Sequence, residues 1–342
     1  MAVEIRVGDC RLLLKAMPSE SVNCVVTSPP YFGLRDYQVD GQIGLEPTPS
    51  EFVAAMVEVF RDVRRVLRSD GVLWLNLGDS YCTTANGPAL GSSGLEGGIA
   101  PHAQVRIAHA RRSNGVPDGL KHKDLMGIPW RVAFSLQADG WYLRSDVIWH
   151  KPNAMPESVT DRPTSAHEHV FLLSKSEKYF YDAEAIREKS VMKPQRRVSE
   201  QNASKGRHAV DAWKEPRILR SELARDGGDF KNSRNVWTIA THPFPDAHFA
   251  TFPPSLPERC IKAGCPPGGM VLDPFGGAGT TGLVAQRLER NAILLELNPD
   301  YAAMARQRID LDRAGPLTRM NERGKSKASP ADHGPLFGGD AG

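Results

Sequence analysis

Residues 270–288 restrict the fold of this chain more than any other stretch. Met270-Val271-Leu272-Asp273 is a short apolar run, and Pro274-Phe275-Gly276-Gly277-Ala278-Gly279 turns the chain. Leu283, Val284 and Leu288 then recur at helical spacing. A strand, a glycine-rich turn and a helix predict one unit of an α/β protein with a mostly parallel sheet. Glycines let the backbone approach a ligand closely, and the helix N terminus favours an anionic group. A P-loop needs a lysine at the end of the turn, and none is present. Gly277-Ala278-Gly279-Thr280-Thr281-Gly282 nearly fits the G-x-G-x-x-G dinucleotide fingerprint. The next apolar run, Ala292 to Leu297, carries Glu296 near its end, where a carboxylate can accept both ribose hydroxyls of an adenosine ligand.

The N-terminal part has the same grammar. Ile5-Arg6-Val7 reads as a strand ending at Gly8-Asp9, and Leu12, Leu13, Leu14 and Met17 mark a helix. Val22 to Val26 reads as a buried strand that Thr27-Ser28-Pro29-Pro30-Tyr31 stops abruptly. Asp9 falls at a strand's C-terminal end, facing the crevice where such sheets bind ligands. A hydroxyl, a rigid backbone and an aromatic face at a sheet edge suit a flat, hydrogen-bonding substrate such as a nucleobase. The plainer reading of the same stretch is a strand end and a rigid turn.

Residues 32–46 lack periodicity and predict a loop over the site. Thr48, Pro49 and Glu51 start a helix with a capping box, and Ser69-Asp70-Gly71 marks its end. Val72 to Leu77 predicts another buried strand, stopped by Gly78-Asp79-Ser80. A helix opens at Gly127-Ile128-Pro129, and a strand runs from Trp141 to Trp149. Val170–Leu173 and Tyr179–Tyr181 read as the two arms of a hairpin.

Composition bears on partners and compartment. No apolar run is long enough to span a bilayer, and the N terminus lacks a signal-peptide pattern, which predicts a cytoplasmic protein. The five cysteines have no zinc spacing, so reduced thiols and no metal are expected. The net charge of +3 is small, but residues 183–234 hold 13 Lys and Arg against 8 Asp and Glu. Basic side chains on a polar segment suit phosphate contacts; a charged linker is the alternative. A Gly- and Ser-rich stretch at about 83–123 is also basic, through Arg106, Arg111, Arg112, Lys121 and Lys123. It reads as a flap over the active face, or as a solvated insertion. Residues 315–342 read as a disordered tail with one apolar pair, Leu336-Phe337, as a docking peptide or a spare pair.

Asp273-Pro274-Phe275-x-Gly277-x-Gly279-Thr280 resembles the cofactor motif of amino-directed DNA methyltransferases, and Ser28-Pro29-Pro30-Tyr31 resembles their catalytic motif. Gly8-Asp9 looks like the acidic position that contacts the adenine of S-adenosylmethionine, and Glu296 like the ribose acid. The segment Phe252-Pro253 with Leu256-Pro257-Glu258-Arg259 is similar to the one that precedes the cofactor motif. The resemblance covers most of residues 5–182 and 236–310, and the order of its motifs is that of the β class.

The resemblance implies a Rossmann-like, circularly permuted fold with a mostly parallel sheet and helices on both faces. Residues 1–182 would be the catalytic half, 183–235 a target-recognition insert, 236–314 the cofactor half and 315–342 the tail. It implies catalytic roles for Ser28, Pro29, Pro30 and Tyr31. It implies S-adenosylmethionine binding by Asp9, Asp273, Pro274, Phe275, Gly277, Gly279, Thr280 and Glu296. Arg111, Arg112, Arg196, Arg197, Lys205 and Arg207 are the candidates for contacting double-stranded DNA. No membrane partner is expected. Homodimers are frequent in such a family, and its members occur with a cognate restriction enzyme or as orphans.

In that family's mechanism, Ser28 Oγ and the Pro29 carbonyl accept hydrogen bonds from the amino hydrogens of a flipped base, and Tyr31 stacks on it. The methyl passes directly from sulfonium to nitrogen, without a covalent enzyme intermediate, and a proton leaves afterwards. C5-cytosine methylation needs a cysteine that follows a proline, and no cysteine here does. A dehydrogenase leaves Ser28 to Tyr31 unexplained, and a non-catalytic DNA-binding protein needs neither motif. Protein and RNA methyltransferases stay open, with the motif order speaking for DNA. Serine at the first motif position leans to N4 of cytosine, with N6 of adenine as the alternative.

Overall fold

The computed structural model describes residues 1–82, 106–107, 116, 119–189, 230–241 and 252–314. Its centre is an eight-stranded sheet in the order β1-β12-β11-β2-β4-β7-β6-β10. These strands are β1 Val3–Val7, β2 Val22–Thr27, β4 Leu67–Leu77, β6 Tyr142–His150, β7 His167–Ser174, β10 Val236–Thr238, β11 Met270–Asp273 and β12 Asn291–Glu296. All neighbouring pairs are parallel except those made by β7, which runs antiparallel to both β4 and β6. Two two-residue ladders lie apart: β3 Arg35–Asp36 with β5 Arg106–Ile107, and β8 Glu188–Lys189 with β9 Phe230–Lys231.

The central strands are continuous apolar runs because helices cover both faces. Helices α1 Cys10–Lys15, α2 Pro49–Val66 and α3 Ile128–Ala138 pack on one face. Helices α4 Ser255–Gly264, α5 Thr280–Arg287 and α6 Pro299–Ala314 pack on the other. The alternation within β4 assigns the faces. Leu73, Leu75 and Leu77 join Phe52, Phe60 and Val132, whereas Val72 and Trp74 join Cys260, Ile261 and Val284. All five cysteines are buried. Among the described residues, no helix is long and apolar enough to cross a membrane.

Local signals read from the sequence recur in the structure. Thr48 caps α2, both hydrogen bonds of the capping box with Glu51 are made, and Pro49 is the first helical residue. Two expectations are corrected. Ser69-Asp70-Gly71 does not separate α2 from a strand beginning at Val72, since β4 already starts at Leu67. Val22 pairs with Leu67 and Cys24 with Val72, so residues 68–71 form a bulge. A Cβ on Gly71 would lie 2.6 Å from Leu67 Cγ and 3.0 Å from Asn23 O, so this glycine serves close packing at the bulge.

The hairpin between residues 170–173 and 179–181 is also absent. β7 is buried along Val170–Ser174 and pairs on both sides, with β4 and β6. The physical reason is that a strand in the middle of a sheet needs a long partner on each side, and β6 supplies one through the connection 151–166. Tyr179–Tyr181 lies outside any strand, and Phe180 N donates to Asp70 O at 2.8 Å.

Candidate active site

The sheet's parallel direction gathers the ends of β1, β12, β11, β2, β4 and β6 at one edge, together with the start of β7. β2 and β11 are neighbours there. Thr27 Oγ donates to Asp273 Oδ1 at 2.6 Å, Thr281 Oγ donates to Asp273 Oδ2 at 2.7 Å, and Phe275 N donates to Asp273 Oδ1 at 3.0 Å. Asp273 is 2% exposed. Burial pushes its carboxyl above the usual range, against the pull of these donors. Its contacts are therefore within the protein, where it ties the strand before Ser28 to the glycine loop.

The loop residues divide by surroundings. Pro274 and Thr280 are buried, while Phe275 and Gly277 are half-buried. Gly277 has φ +49° and donates its N–H to Glu296 Oε2 at 2.6 Å. Gly279 has φ +76°, and a Cβ there would lie 2.8 Å from Ala305 Cβ. This glycine lets α6 pack against the loop, a different reason from approach to a ligand. Thr280 Oγ accepts from Arg308 Nη1 at 2.8 Å, and the same nitrogen donates to Ala278 O at 3.1 Å.

Glu296 ends β12, and its other carboxylate oxygen accepts from Asn298 N at 2.8 Å. Burial pushes this carboxyl up. Gly8 N donates to Glu296 O at 2.8 Å, which sets Asp9 beside it at the end of β1. Asp9 caps α1 through Arg11 N and binds the Arg11 guanidinium with both oxygens. Burial raises the Asp9 carboxyl, but the hydrogen bonds and charge of Arg11 outweigh it and hold the group below its ordinary value. Arg11 Nη2 also donates to Gly41 O at 2.9 Å, and the Tyr37 ring meets Tyr301 edge-on at 6.3 Å. Residues 32–46 thus arch over this corner, as their lack of periodicity predicted.

On the other side of β11 stands Ser28-Pro29-Pro30-Tyr31. Ser28, Pro30 and Tyr31 are half-buried and Pro29 is buried. The Tyr31 hydroxyl donates to Glu168 Oε2 at 2.6 Å; it lies 3.3 Å from Asn76 Oδ1 and 3.4 Å from Ser28 Oγ. Asn76 Nδ2 donates to the same Glu168 oxygen at 3.0 Å, and Lys151 pairs with Glu168 Oε1. Burial, then the charge of Glu168, pushes the Tyr31 phenol well above its ordinary value, so it is a neutral donor. Gly78 lies under the ring: a Cβ there would be 2.6 Å from Tyr31 Cε2.

Asn76, Glu168 and Lys151 were not singled out from the sequence. Asn76 had a usable signal, a polar residue inside the apolar run Val72 to Leu77. Lys151 read only as part of a strand break, and Glu168 had no local signal. The basic candidates Arg111, Arg112, Arg196, Arg197, Lys205 and Arg207 lie outside the described residues, as do most of the 83–123 flap, most of the 183–235 insert and the tail. The described ends of the insert meet in the β8–β9 ladder, where Arg234 pairs with Glu188 at 3.0 Å.

A glycine loop after one strand and Ser-Pro-Pro-Tyr after its neighbour, on a sheet of this order, define a Rossmann-like methyltransferase. The chain belongs to the DNA methylase family of N6- and N4-directed amino-methyltransferases, whose model matches residues 22–307. It is 46% identical over 302 residues to the type II methyltransferase M.Cfr9I of Citrobacter freundii, covering 88% of this chain and 86% of that one. It is also 46% identical to M.SmaI of Serratia marcescens, with 90% of each covered. Among solved structures, the cytosine-N4-specific PvuII DNA methyltransferase aligns with a TM-score of 0.57 and 21% identity, over 89% of this chain and 85% of that one. A Thermus thermophilus protein solved in complex with S-adenosyl-L-methionine aligns with a TM-score of 0.53 and 23% identity, over 90% of this chain and 93% of that one. Those two likenesses concern the fold.

Proposed function

We propose that this protein transfers a methyl group from S-adenosylmethionine to N4 of a cytosine flipped out of double-stranded DNA. The observation that carries the reading is the juxtaposition of Ser28 and Tyr31 with the corner formed by Asp9, Phe275, Gly277 and Glu296. These groups end or follow β1, β12, β11 and β2, four adjacent strands. Cytosine is favoured by the serine at the first motif position; the similarly folded PvuII methyltransferase is itself cytosine-N4-specific.

The donor set fits an adenosine. Each Glu296 oxygen accepts one backbone N–H, and a carboxylate oxygen has a second lone pair for a ribose hydroxyl. Phe275, half-buried beside it, offers an apolar surface. The group bound there supplies a methyl on a sulfonium centre.

The chain's residues do the rest. A nucleobase amino nitrogen is a poor nucleophile because its lone pair is delocalised. Ser28 Oγ and the Pro29 carbonyl accept its two hydrogens, which favours a pyramidal nitrogen with its lone pair turned to the methyl. Tyr31 stacks on the base and fixes its plane. After it takes the methyl, the nitrogen loses one of its two hydrogens as a proton; orientation and placed dipoles carry the rate, without a covalent enzyme intermediate.

The test is incubation of the protein with unmethylated DNA and labelled S-adenosylmethionine, followed by nucleoside digestion and mass spectrometry. N4-methylcytosine is expected. N6-methyladenine would overturn the choice of base, and the absence of both would overturn the activity.

A further inference from the structure

We propose that Glu168 is a positioning residue for methyl transfer, acting through the hydroxyl of Tyr31; this rests on the roles given above to Ser28 and Tyr31. Glu168 is the second residue of β7, 137 positions from Tyr31. Because β7 is antiparallel to β4 and β6, its beginning lies at the edge where their ends carry the site. Asn76, near the end of β4, and Lys151, just past the end of β6, flank it.

The carboxylate is engaged on both oxygens. Oε2 accepts from Tyr31 and Asn76, and Oε1 pairs with Lys151. The side chains of Lys151 and Glu168 are only 20% and 14% exposed, and the Lys151 ammonium lies 4.5 Å from the centre of the Trp149 ring. A half-buried carboxylate with no partner is costly, and Lys151 supplies its counter-charge. Asn76 is itself fixed, since Nδ2 also donates to His169 O at 3.1 Å.

The direction of the hydrogen bonds matters more than their number. A neutral phenol has one proton to give, and Glu168 takes it in a short, charge-assisted bond. The phenol oxygen then offers lone pairs toward Ser28, whose hydroxyl donates to it at 3.4 Å. With its hydrogen turned to Tyr31, Ser28 Oγ presents lone pairs to an incoming amino group. Glu168 so orients two groups at once: the ring that stacks on the base and the hydroxyl that accepts its amino hydrogen. A phenylalanine at position 31 would stack but would break this chain of donors.

A double-variant cycle tests the proposal. Steady-state methylation of unmethylated genomic DNA with tritiated S-adenosylmethionine is measured for the wild type, Glu168→Gln, Tyr31→Phe and the double variant. Each single variant is expected to lower kcat by about ten- to hundredfold and to leave the cofactor KM unchanged. The double variant should be no slower than the slower single. Effects that multiply, or a Glu168→Gln loss that falls on the cofactor KM with kcat kept, overturn the proposal. If Glu168→Gln gives no unfolding transition, Lys151→Met replaces it in the cycle, since Lys151 reaches Tyr31 through Glu168. The same non-additivity is then expected with Tyr31→Phe, and multiplication again overturns the proposal. A wild-type protein that methylates no DNA overturns the reading of the site instead, so the two failures are distinct.

Discussion

Thr27 and Asp273, 246 positions apart, meet in a buried hydrogen bond of 2.6 Å. One immediately precedes Ser28 and the other begins the turn into the glycine loop. The bond fixes the two halves of the site against each other, whatever ligand lies between them.

Asp273→Ala should therefore act on stability as well as on cofactor binding. It leaves Thr27 and the N–H of Phe275 without this acceptor, while Thr281 keeps Val26 O at 3.3 Å, and buried donors without partners cost about 1–3 kcal/mol each before relaxation. A net loss of about 2–4 kcal/mol is expected. Chemical unfolding checks it, and an unchanged midpoint would contradict the structural role.

Glu296→Gln tests the corner at the end of β12. Replacing one carboxylate oxygen by an amide removes an acceptor from Gly277 N or Asn298 N and one lone pair from the ribose. Hydrogen bonds to a charged group contribute about 1.5–3 kcal/mol, so affinity for S-adenosylmethionine should fall about ten- to hundredfold. Calorimetric titration reads this directly. Equal affinity in the variant would remove Glu296 from the binding site.

Gly78→Ala should damage turnover while sparing the cofactor corner. The added methyl would lie 2.6 Å from Tyr31 Cε2, so the ring must move. Displacement of a positioning group by about 1 Å can cost about hundredfold in rate. The expected result is a lower kcat with cofactor affinity retained. An unchanged kcat would show that the ring's placement is not limiting.

The Asp9–Arg11 pair gives a pH dependence with a definite sign. The Asp9 carboxyl sits below its unfolded value when the protein is folded. Its contribution is fully present above the usual carboxylate range and is lost as pH falls through that range and below. Asp9→Asn should lower stability near pH 7 by at most about 1 kcal/mol, since the pair is partly exposed. Near pH 3 the difference between variant and wild type should shrink. A difference that grew on acidification would reverse the assignment.

Much of the fold was legible because its signals are local. Thr48-Pro49-x-Glu51 specifies a helix start through hydrogen bonds within one turn. The apolar runs at 22–26, 72–77 and 292–297 are long enough to be strands and apolar on both faces, which calls for a sheet covered by helices. The two motifs, read together, pointed to both parts of the site.

The rest depends on partners. The Val170–Leu173 run suggests a neighbour close in sequence, but its ladders are with β4 and β6. Gly71 looked like a helix stop and proved to sit in a bulge, and Gly279 packs against Ala305. A glycine in a sequence announces missing side-chain volume without saying what occupies the space.

The sequence by itself determined the class of sheet, the helix starts, the glycine turn and the Ser-Pro-Pro-Tyr stop, since periodicity and capping act over a few residues. Only the tertiary structure decided that Asp273 would be spent on Thr27 and Thr281, and that Tyr31 would find Glu168, Asn76 and Lys151. Hydrogen bonds between strands depend on which strands become neighbours, and that choice is made by the packing of the whole sheet.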